Sequence, residues 1–324
     1  SGWQPREIVS DKVKLFHQAR RVQVETLEDD TPLSWEELAQ QMIAYKQALC
    51  VLNIKRHAMD LARLLLQQAD GDAVYHLSTS MCPAHRQSVL EEVRKRLRKG
   101  KHCLLVSTQC VEAGVDVDFP VVFRAFAPLD SIAQAAGRCN RNGKLAQGKV
   151  VLFVPEDEKY PRGAYEQAAR VTRGYLKEAG EIDLYDPDFY DRYYRLVYDL
   201  ASPDQLRRDL QEAIKALDFA EVARLYRLIP DSTINILVPY DRAMYEQLAT
   251  EVRQRGLTSA WIRRARPYVV STYRPRPSDD ICQFLEPIAI RGQPSEEWFI
   301  YTEPSHYDRL LGLQPQQAPE LWIL

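Results

Sequence analysis

The sequence predicts an α/β protein: a parallel sheet with helices on both faces, followed by a mainly helical stretch and then a mixed α+β C-terminal domain. Three observations predict it. Short apolar runs at 48–53 (ALCVLN), 74–78, 103–107 and 121–126 read as buried strands, and amphipathic stretches of helical period separate them. Strands that alternate with helices belong to a parallel sheet whose crossovers cover its faces. Beyond Pro155, Glu156-Asp157-Glu158 and Pro161 the pattern changes to helices, and from 230 onward strands return.

In order, Val22, Val24 and Thr26 alternate like a strand within the basic, apolar stretch LFHQARRVQVETLE. Ser34 then caps a helix, and Glu37 three residues on completes a capping box. The helix over 55–68 puts Ala58, Leu61, Ala62, Leu65 and Leu66 on its inner face. Pro83, suited to a first turn, opens the next helix. That helix buries Val89, Leu90, Val93 and Leu97 and stops at Gly100. The strand at 103–107, a glycine-containing turn at 112–118, the strand at 121–126, a short helix opening near Asp130 or Ser131, and a strand at 149–154 complete the first unit. Helices are expected over 163–179, 189–200, 203–216, 218–229 and 240–255, and strands over 233–239, 268–273, 281–290 and 298–302. The expected domains are 1–157, 158–230 and 231–324, for which 324 residues are ample.

Composition narrows the function. Hydrophobic residues at 45% and charged residues at 27% are ordinary for a soluble globular protein. With a net charge of only −2, nucleic-acid binding must come from local patches rather than a general basic field. The six cysteines show no ligand spacing and several lie in apolar strands, which favours reduced, buried thiols over disulfides or zinc, and no metal-binding cluster is evident. No segment approaches the length of a membrane span and no signal peptide is present, so a cytoplasmic location is expected. The chain opens on Ser-Gly rather than Met, the mark of a tag remnant or of an excised piece of a longer polypeptide.

Chemistry concentrates between Ser107 and Arg141, STQCVEAGVDVDFPVVFRAFAPLDSIAQAAGRCNR. Thr108, Gly114 and Asp116 fall just past a buried strand, where ligands of open α/β sheets sit. Gln134, Gly137, Arg138 and Arg141 lie on or just after one helix. Two arginines three apart share a helical face, which brings two cations to one anion, and the guanidinium fork suits phosphate. Thr108 joins a hydroxyl to a backbone amide at a strand end, a pairing that suits a phosphate oxygen of a nucleic-acid strand. Ser78 and Thr79, with Arg86 one turn into the next helix, offer the same chemistry at the neighbouring strand end.

This combination resembles motifs V and VI in the second RecA-like domain of superfamily-two helicases. HLSTSMCPAHR (76–86) together with VSTQCVEAGVDVDFPVVFRAFAPLDSIAQAAGRCNRNG (106–143) is similar to the type I CRISPR-associated helicase-nuclease, which the Cascade surveillance complex recruits to target DNA; the match is specific over roughly the first half of the chain. The resemblance implies a RecA-like domain and hydrolysis of ATP with magnesium in a cleft between two such domains. It implies that Arg138 and Arg141 reach the transferring phosphate, with Arg141 as arginine finger, that Gln134 and Gly137 lie near the phosphates, and that Gly114 and Asp116 lie by the ribose. It further implies that Ser78, Thr79, Arg86 and Thr108 contact the DNA backbone and that Gln109 and Glu112 link the DNA and ATP faces. Asn53 and Lys55 stand where motif IV would be.

The sequence contains no GxxxxGK[ST] and no DExD/H-type box, the parts that cradle phosphates and hold magnesium. The chain is therefore expected to be half of an ATP site, inactive alone as ATPase or nuclease. Its expected partners are single-stranded DNA, Cascade, and a first RecA-like domain and nuclease domain on the same or another chain. A competing class is a non-catalytic DNA- or protein-binding platform derived from a helicase half; another is a superfamily-two motor from a different system. Other features have plainer readings. The run Arg94 to Lys101 looks like a nucleic-acid patch but reads first as a solvated helix face, Tyr190, Tyr194 and Tyr198 read as packing along one helix rather than a base-stacking platform, and Asp183, Asp186, Asp188 and Asp191 read as a solvated acidic segment rather than a metal site. The histidines are scattered without a His–Asp pair. The string from Trp261 to Arg276 mixes aromatics and cations, as either a nucleic-acid surface or a strand entering a core.

Overall fold

The computed structural model describes residues 20–26, 31–161, 163–180, 182–200, 204–226 and 233–314. The opening of the basic stretch at 15–19, its end at 27–28, residue 203, and the end of the helix expected at 218–229 lie outside them. In chain order the elements are β1 (Val22–Thr26), α1 (Trp35–Ile43), β2 (Gln47–Val51), α2 (Lys55–Gln68), β3 (Val74–Leu77), α3 (Pro83–Arg98), β4 (Cys103–Ser107), β5 (Val121–Ala125), α4 (Leu129–Ala136) and β6 (Gly148–Phe153). There follow α5 (Ala164–Ala179), α6 (Pro187–Leu200), α7 (Asp204–Lys215), α8 (Phe219–Leu225), β7 (Thr233–Leu237), α9 (Arg242–Arg255), α10 (Ser259–Ala265), β8 (Val269–Tyr273), β9 (Leu285–Ile290), β10 (Gln293–Tyr301), β11 (Tyr307–Asp308) and β12 (Gly312–Leu313).

The first sheet is parallel throughout, in the order β1-β6-β5-β2-β4-β3. Side-chain alternation divides its core. Leu49 and Val51 of β2 pack on the face covered by α3, α4, α5 and α6. Ala48 and Cys50 pack on the other, under α1 and α2. The capping box at α1 is present, with Ser34 Oγ accepting from Glu37 N at 3.2 Å and Glu37 Oε2 accepting from Ser34 N at 3.0 Å. Pro83 is at the start of α3, and Gly100 past its end has φ +59°. On α2, Ala58, Leu61, Ala62 and Leu65 are fully buried, whereas Leu66 lies at the edge of the stripe and is exposed.

The first two helices after β6, α5 and α6, do not stand apart. Val171 and Tyr175 of α5 with Phe189 and Tyr193 of α6 close over the first sheet face. On α6 the packing line is Phe189 and Tyr193, so the expected tyrosine stripe is displaced: Tyr190 is half-buried, and Tyr194 and Tyr198 are exposed. The second sheet has the order β8-β7-β10-β9, with β7 parallel to β10 and the other pairs antiparallel. One face packs against α9 and α10 around Trp261, Leu248 and Ile300. Thr258 caps α10 by accepting from Trp261 N at 3.1 Å, so the aromatic and basic string opens as a helix. The strand expected from 281 begins only at 285, after a 3₁₀ turn over Asp280–Phe284.

The described chain ends by returning to the first domain. Leu311 enters the core under α1 and α2, and Leu313 N donates to Ser80 O at 2.8 Å. Gly312, with φ +79°, lies so close to the Ser80 carbonyl that a Cβ would collide with it. His85 of α3 stacks on Tyr240 at 4.6 Å and hydrogen-bonds on both ring nitrogens, to Tyr307 Oη and Arg309 O, each at 3.0 Å.

Candidate nucleotide and nucleic-acid site

The chemistry-bearing residues gather at the C-terminal edge of the parallel sheet. α4 ends at Ala136 with Gly137 as C-cap, and Asn140 takes φ +44°. Arg138 and Arg141 therefore follow the helix and do not share a helical face, a departure from the spacing argument. Their environments separate them. Arg138 is buried and turns inward, its Nε donating to Val111 O at 2.8 Å and its Nη2 to Glu112 O. Its fork thus clamps the turn after β4 instead of standing open to a phosphate, and burial, reinforced by the neighbouring Arg141 charge, lowers its pKa. Arg141 stays at the rim, 43% exposed, with Nε 3.0 Å from Asp116 Oδ1. Asp118 Oδ1 accepts from Arg141 N at 2.8 Å and fixes the backbone there. Gln134 and Gly137 are exposed, and Gly137 lines one surface depression with Arg141. Gly114, exposed, has φ +69° and open space where a Cβ would be, so its backbone is approachable.

Of the residues expected on DNA, Thr79 and Arg86 reach a cleft and Ser78 and Thr108 do not. Ser78 is fully buried, its Oγ accepting from Ser80 N at 3.2 Å. Thr108 is buried as well, with its amide donating to Leu77 O at 3.1 Å and its hydroxyl 3.1 Å from Cys110 Sγ. The amide and hydroxyl assigned to a phosphate are thus both engaged, because Thr108 still belongs to the ladder between β3 and β4. Gln109 Nε2 donates to Asn53 O at 2.8 Å, and Glu112 Oε1 lies 3.0 Å from Arg124 Nη2.

The cleft itself, about 570 Å³, lies between the two sheets. Lys55, Thr79 and Arg86 line one wall, and Arg263, Arg266 and Tyr273 line the other. Burial lowers the Lys55 pKa to about 8, with Arg86 nearby acting in the same direction. Arg264, by contrast, pairs with Glu251 outside it. On the basic face of α3, Lys95 pairs with Glu92 at 2.9 Å and Arg94 Nε donates to Asp116 O at 2.9 Å.

Sequence reasoning missed Arg124 and Tyr165. Arg124 is fully buried inside β5, donating to Asn53 Oδ1 at 2.8 Å and Tyr165 Oη at 2.8 Å. A signal existed, since a cation inside the apolar run VVFRAFA has no place in a strand buried on both faces unless it is paired. A His–Asp pair also exists in space, His57 Nε2 lying 3.5 Å from Asp157 Oδ2 despite their distance along the sequence. Among the described residues no group of three His, Cys, Asp or Glu is placed to hold a metal, and no helix is long and apolar enough to cross a membrane.

A six-stranded parallel sheet flanked by helices on both faces is a RecA-like fold, here joined to a mixed α+β region. Residues 44–144 match the family described as CRISPR-associated nuclease/helicase Cas3, C-terminal. The chain is related to the C-terminal portion of Cas3. The Cas3 of Haloferax volcanii is 54% identical over 56 residues, 17% of this chain and 6% of that protein. The Cas3 of Thermus thermophilus is 24% identical over 207 residues, 58% of this chain and 22% of that protein. The crystal structure of T. fusca Cas3 with ADP superposes with a TM-score of 0.58 at 17% identity, covering 95% of this chain and 44% of that one. A chain of a CRISPR RNA-guided surveillance complex, pre-nicking, gives 0.58 at 18% identity over 90% of this chain and 44% of that one. The chain thus spans less than a quarter of these two curated relatives and less than half of the structural neighbours.

Proposed function

We propose that the chain is the second half of a superfamily-two ATP-dependent translocase on single-stranded DNA, acting in type I CRISPR interference alongside a Cascade-type surveillance complex. The observation that carries the reading is Arg141, held at the open rim beside Asp116 while Arg138 braces the turn that presents Gly114 and Asp116. The ion pair of Arg141 is exposed, and such pairs contribute at most about 1 kcal/mol, so a polyphosphate displaces it readily. Arg141, Gln134, Gly137 and the Gly114–Asp116 turn fit the open side of a nucleotide site. The remaining phosphate and magnesium contacts fall to a first RecA-like domain, because the sequence contains neither P-loop nor acidic box. ATP, when bound, supplies the phosphoryl group whose loss drives translocation. In this reading Arg141 stabilises the charge on that group during transfer, and Arg138 acts through the turn. Lys55, Thr79 and Arg86 on one wall of the cleft, with Arg263 and Arg266 opposite, hold the strand by its phosphates. The similarity to a chain of a surveillance complex supports the Cascade partnership.

Steady-state ATP hydrolysis with and without single-stranded DNA tests this, on the chain alone and on the protein completed with a first RecA-like domain. The chain alone is expected to match buffer. In the completed protein Arg141→Ala should lower DNA-stimulated turnover by roughly 10³ to 10⁵, and Arg141→Lys should restore little, because a point charge does not reproduce the fork. Full turnover in Arg141→Ala, or robust hydrolysis by the chain alone, overturns the reading.

A further inference from the structure

The Arg124 guanidinium touches three separate pieces of the proposed site. Its Nη1 donates to Val51 O at 3.2 Å, to Asn53 Oδ1 at 2.8 Å and to Ala125 O at 2.9 Å. Its Nη2 donates to Tyr165 Oη at 2.8 Å and stands 3.0 Å from Glu112 Oε1. Tyr165 Oη in turn donates to Asn53 Oδ1 at 2.9 Å, closing a triangle among Arg124, Tyr165 and Asn53. Asn53 is tied further, through Nδ2 to Phe126 O and through its carbonyl to Gln109 Nε2, each at 2.8 Å.

The two ends of this network lie at different surfaces. Asn53 is two residues before Lys55, which lines the cleft between the sheets. Glu112 carries the carbonyl that Arg138 grips and lies four residues before Asp116, the partner of Arg141. Arg124, Asn53 and Glu112 are all buried. A buried network of charged and amide groups does not stretch continuously; it holds one arrangement until its hydrogen bonds exchange together.

Resting on the reading above, we propose that Arg124, braced by Tyr165, is a positioning residue that couples occupancy of the nucleic-acid cleft to the placement of Arg141, by holding Asn53 and Glu112 on one guanidinium. A strand that moves Lys55 moves Asn53, and Arg124 passes the shift to Glu112 and so to the turn carrying Asp116. Neither Arg124 nor Tyr165 touches nucleotide or nucleic acid in this scheme. Removing the brace leaves both surfaces built and severs the link between them.

The test uses the protein completed with a first RecA-like domain and three variants: Tyr165→Phe, Arg124→Lys and Arg141→Ala. For each, the thermal midpoint, turnover without DNA, DNA-stimulated turnover, affinity for a labelled oligothymidine, and ATP consumed per nucleotide travelled are measured. Tyr165→Phe should stay folded and keep unstimulated turnover and oligothymidine affinity within about twofold. Its DNA-stimulated turnover should fall about tenfold, the factor one hydrogen bond of ordinary strength carries, and ATP consumed per nucleotide should rise. Arg124→Lys keeps the charge without the fork and should show the same split more strongly; if it does not fold, Tyr165→Phe carries the decision alone. Stimulation unchanged in a folded Tyr165→Phe protein, or stimulated and unstimulated turnover falling by one common factor, overturns the proposal. Arg141→Ala keeps the two readings separate. Its full activity sinks the nucleotide site itself, whereas its inactivity beside intact stimulation in Tyr165→Phe sinks only the coupling.

Discussion

Of the single residues, His76 makes the plainest physical statement. It is wholly buried in β3, and burial pushes its pKa down to about 3, with the Leu310 backbone opposing only in part. The unfolded chain then takes up a proton near pH 6.5 that the folded chain refuses. Stability from the neutral ring is therefore complete above pH 6.5 and lost as pH falls from there toward 3, by roughly 1.4 kcal/mol per pH unit. His57 and His85 are shifted in the same direction, again first by burial. In His76→Phe the gap in urea-unfolding free energy from the parent chain should change by roughly 1 kcal/mol for each unit below pH 6.5; a constant gap from pH 7.5 to 5 would refute the assignment. Arg124 is the costlier residue to disturb. Removing one partner of a buried ion pair typically destabilises by about 3–5 kcal/mol, so Arg124→Met should lower the thermal midpoint far more than Arg141→Ala, whose pair is exposed. At this scale the sequence pointed to the arginines of GRCNR and passed over Arg124, and it hid the directions in which the side chains turn. Arg138 and Arg141 look alike in GRCNR, and only the chain's exit from α4 turns one inward and leaves the other at the rim.

Elements were more legible than side chains. Apolar period and capping chemistry located the strands and helices around α1 to β6, because Ser34, Pro83 and Gly100 act locally. The tyrosines of α6 were misplaced, since the helix buries the line of Phe189 and Tyr193 and leaves Tyr194 to solvent. The string from Trp261 was ambiguous for a different reason: α10 is short enough that its cap, Thr258, decides it. Within it Trp261 is core, its Nε1 donating to Leu248 O at 2.9 Å, while Arg263 and Arg266 turn to the cleft. Charge reversal at Arg263 and Arg266 should therefore weaken single-stranded DNA binding in the completed protein and flatten the log–log salt slope by about 0.7 for each phosphate no longer neutralised. Reversal at Arg264, paired with Glu251, should leave the slope alone. Equal effects at all three positions would show a general charge effect in place of a lined track.

For the whole molecule, alternation of strand and helix was enough to predict the parallel sheet, but not the way the chain's parts join. The helices after β6 and the residues after β10 carry weak local patterns, and their place is set by contacts far along the sequence, such as Leu311 under α1 and α2. Gly312 marks that joint. Gly312→Ala meets the Ser80 carbonyl in a backbone conformation unfavourable to any side chain, and should lower the thermal midpoint and loosen the cleft wall that Thr79 and Arg86 share. A midpoint and an oligothymidine affinity both unchanged in Gly312→Ala would show that the joint is slack. The joint matters for motion. A domain that hangs from one linker has a free axis to turn about, and relative movement is then the default. Here the second domain also closes back on the first along several contacts: Leu313 N donates to Ser80 O, Tyr240 stacks on His85, and Cys82 packs in one cluster with Ile236 and Tyr301. Contacts spread along a face in this way resist turning about one linker. In the proposed reading, the rotation of a motor cycle then falls outside this body, against a first RecA-like domain, and the gap between the two sheets keeps its width through the stroke like the bore of a bearing.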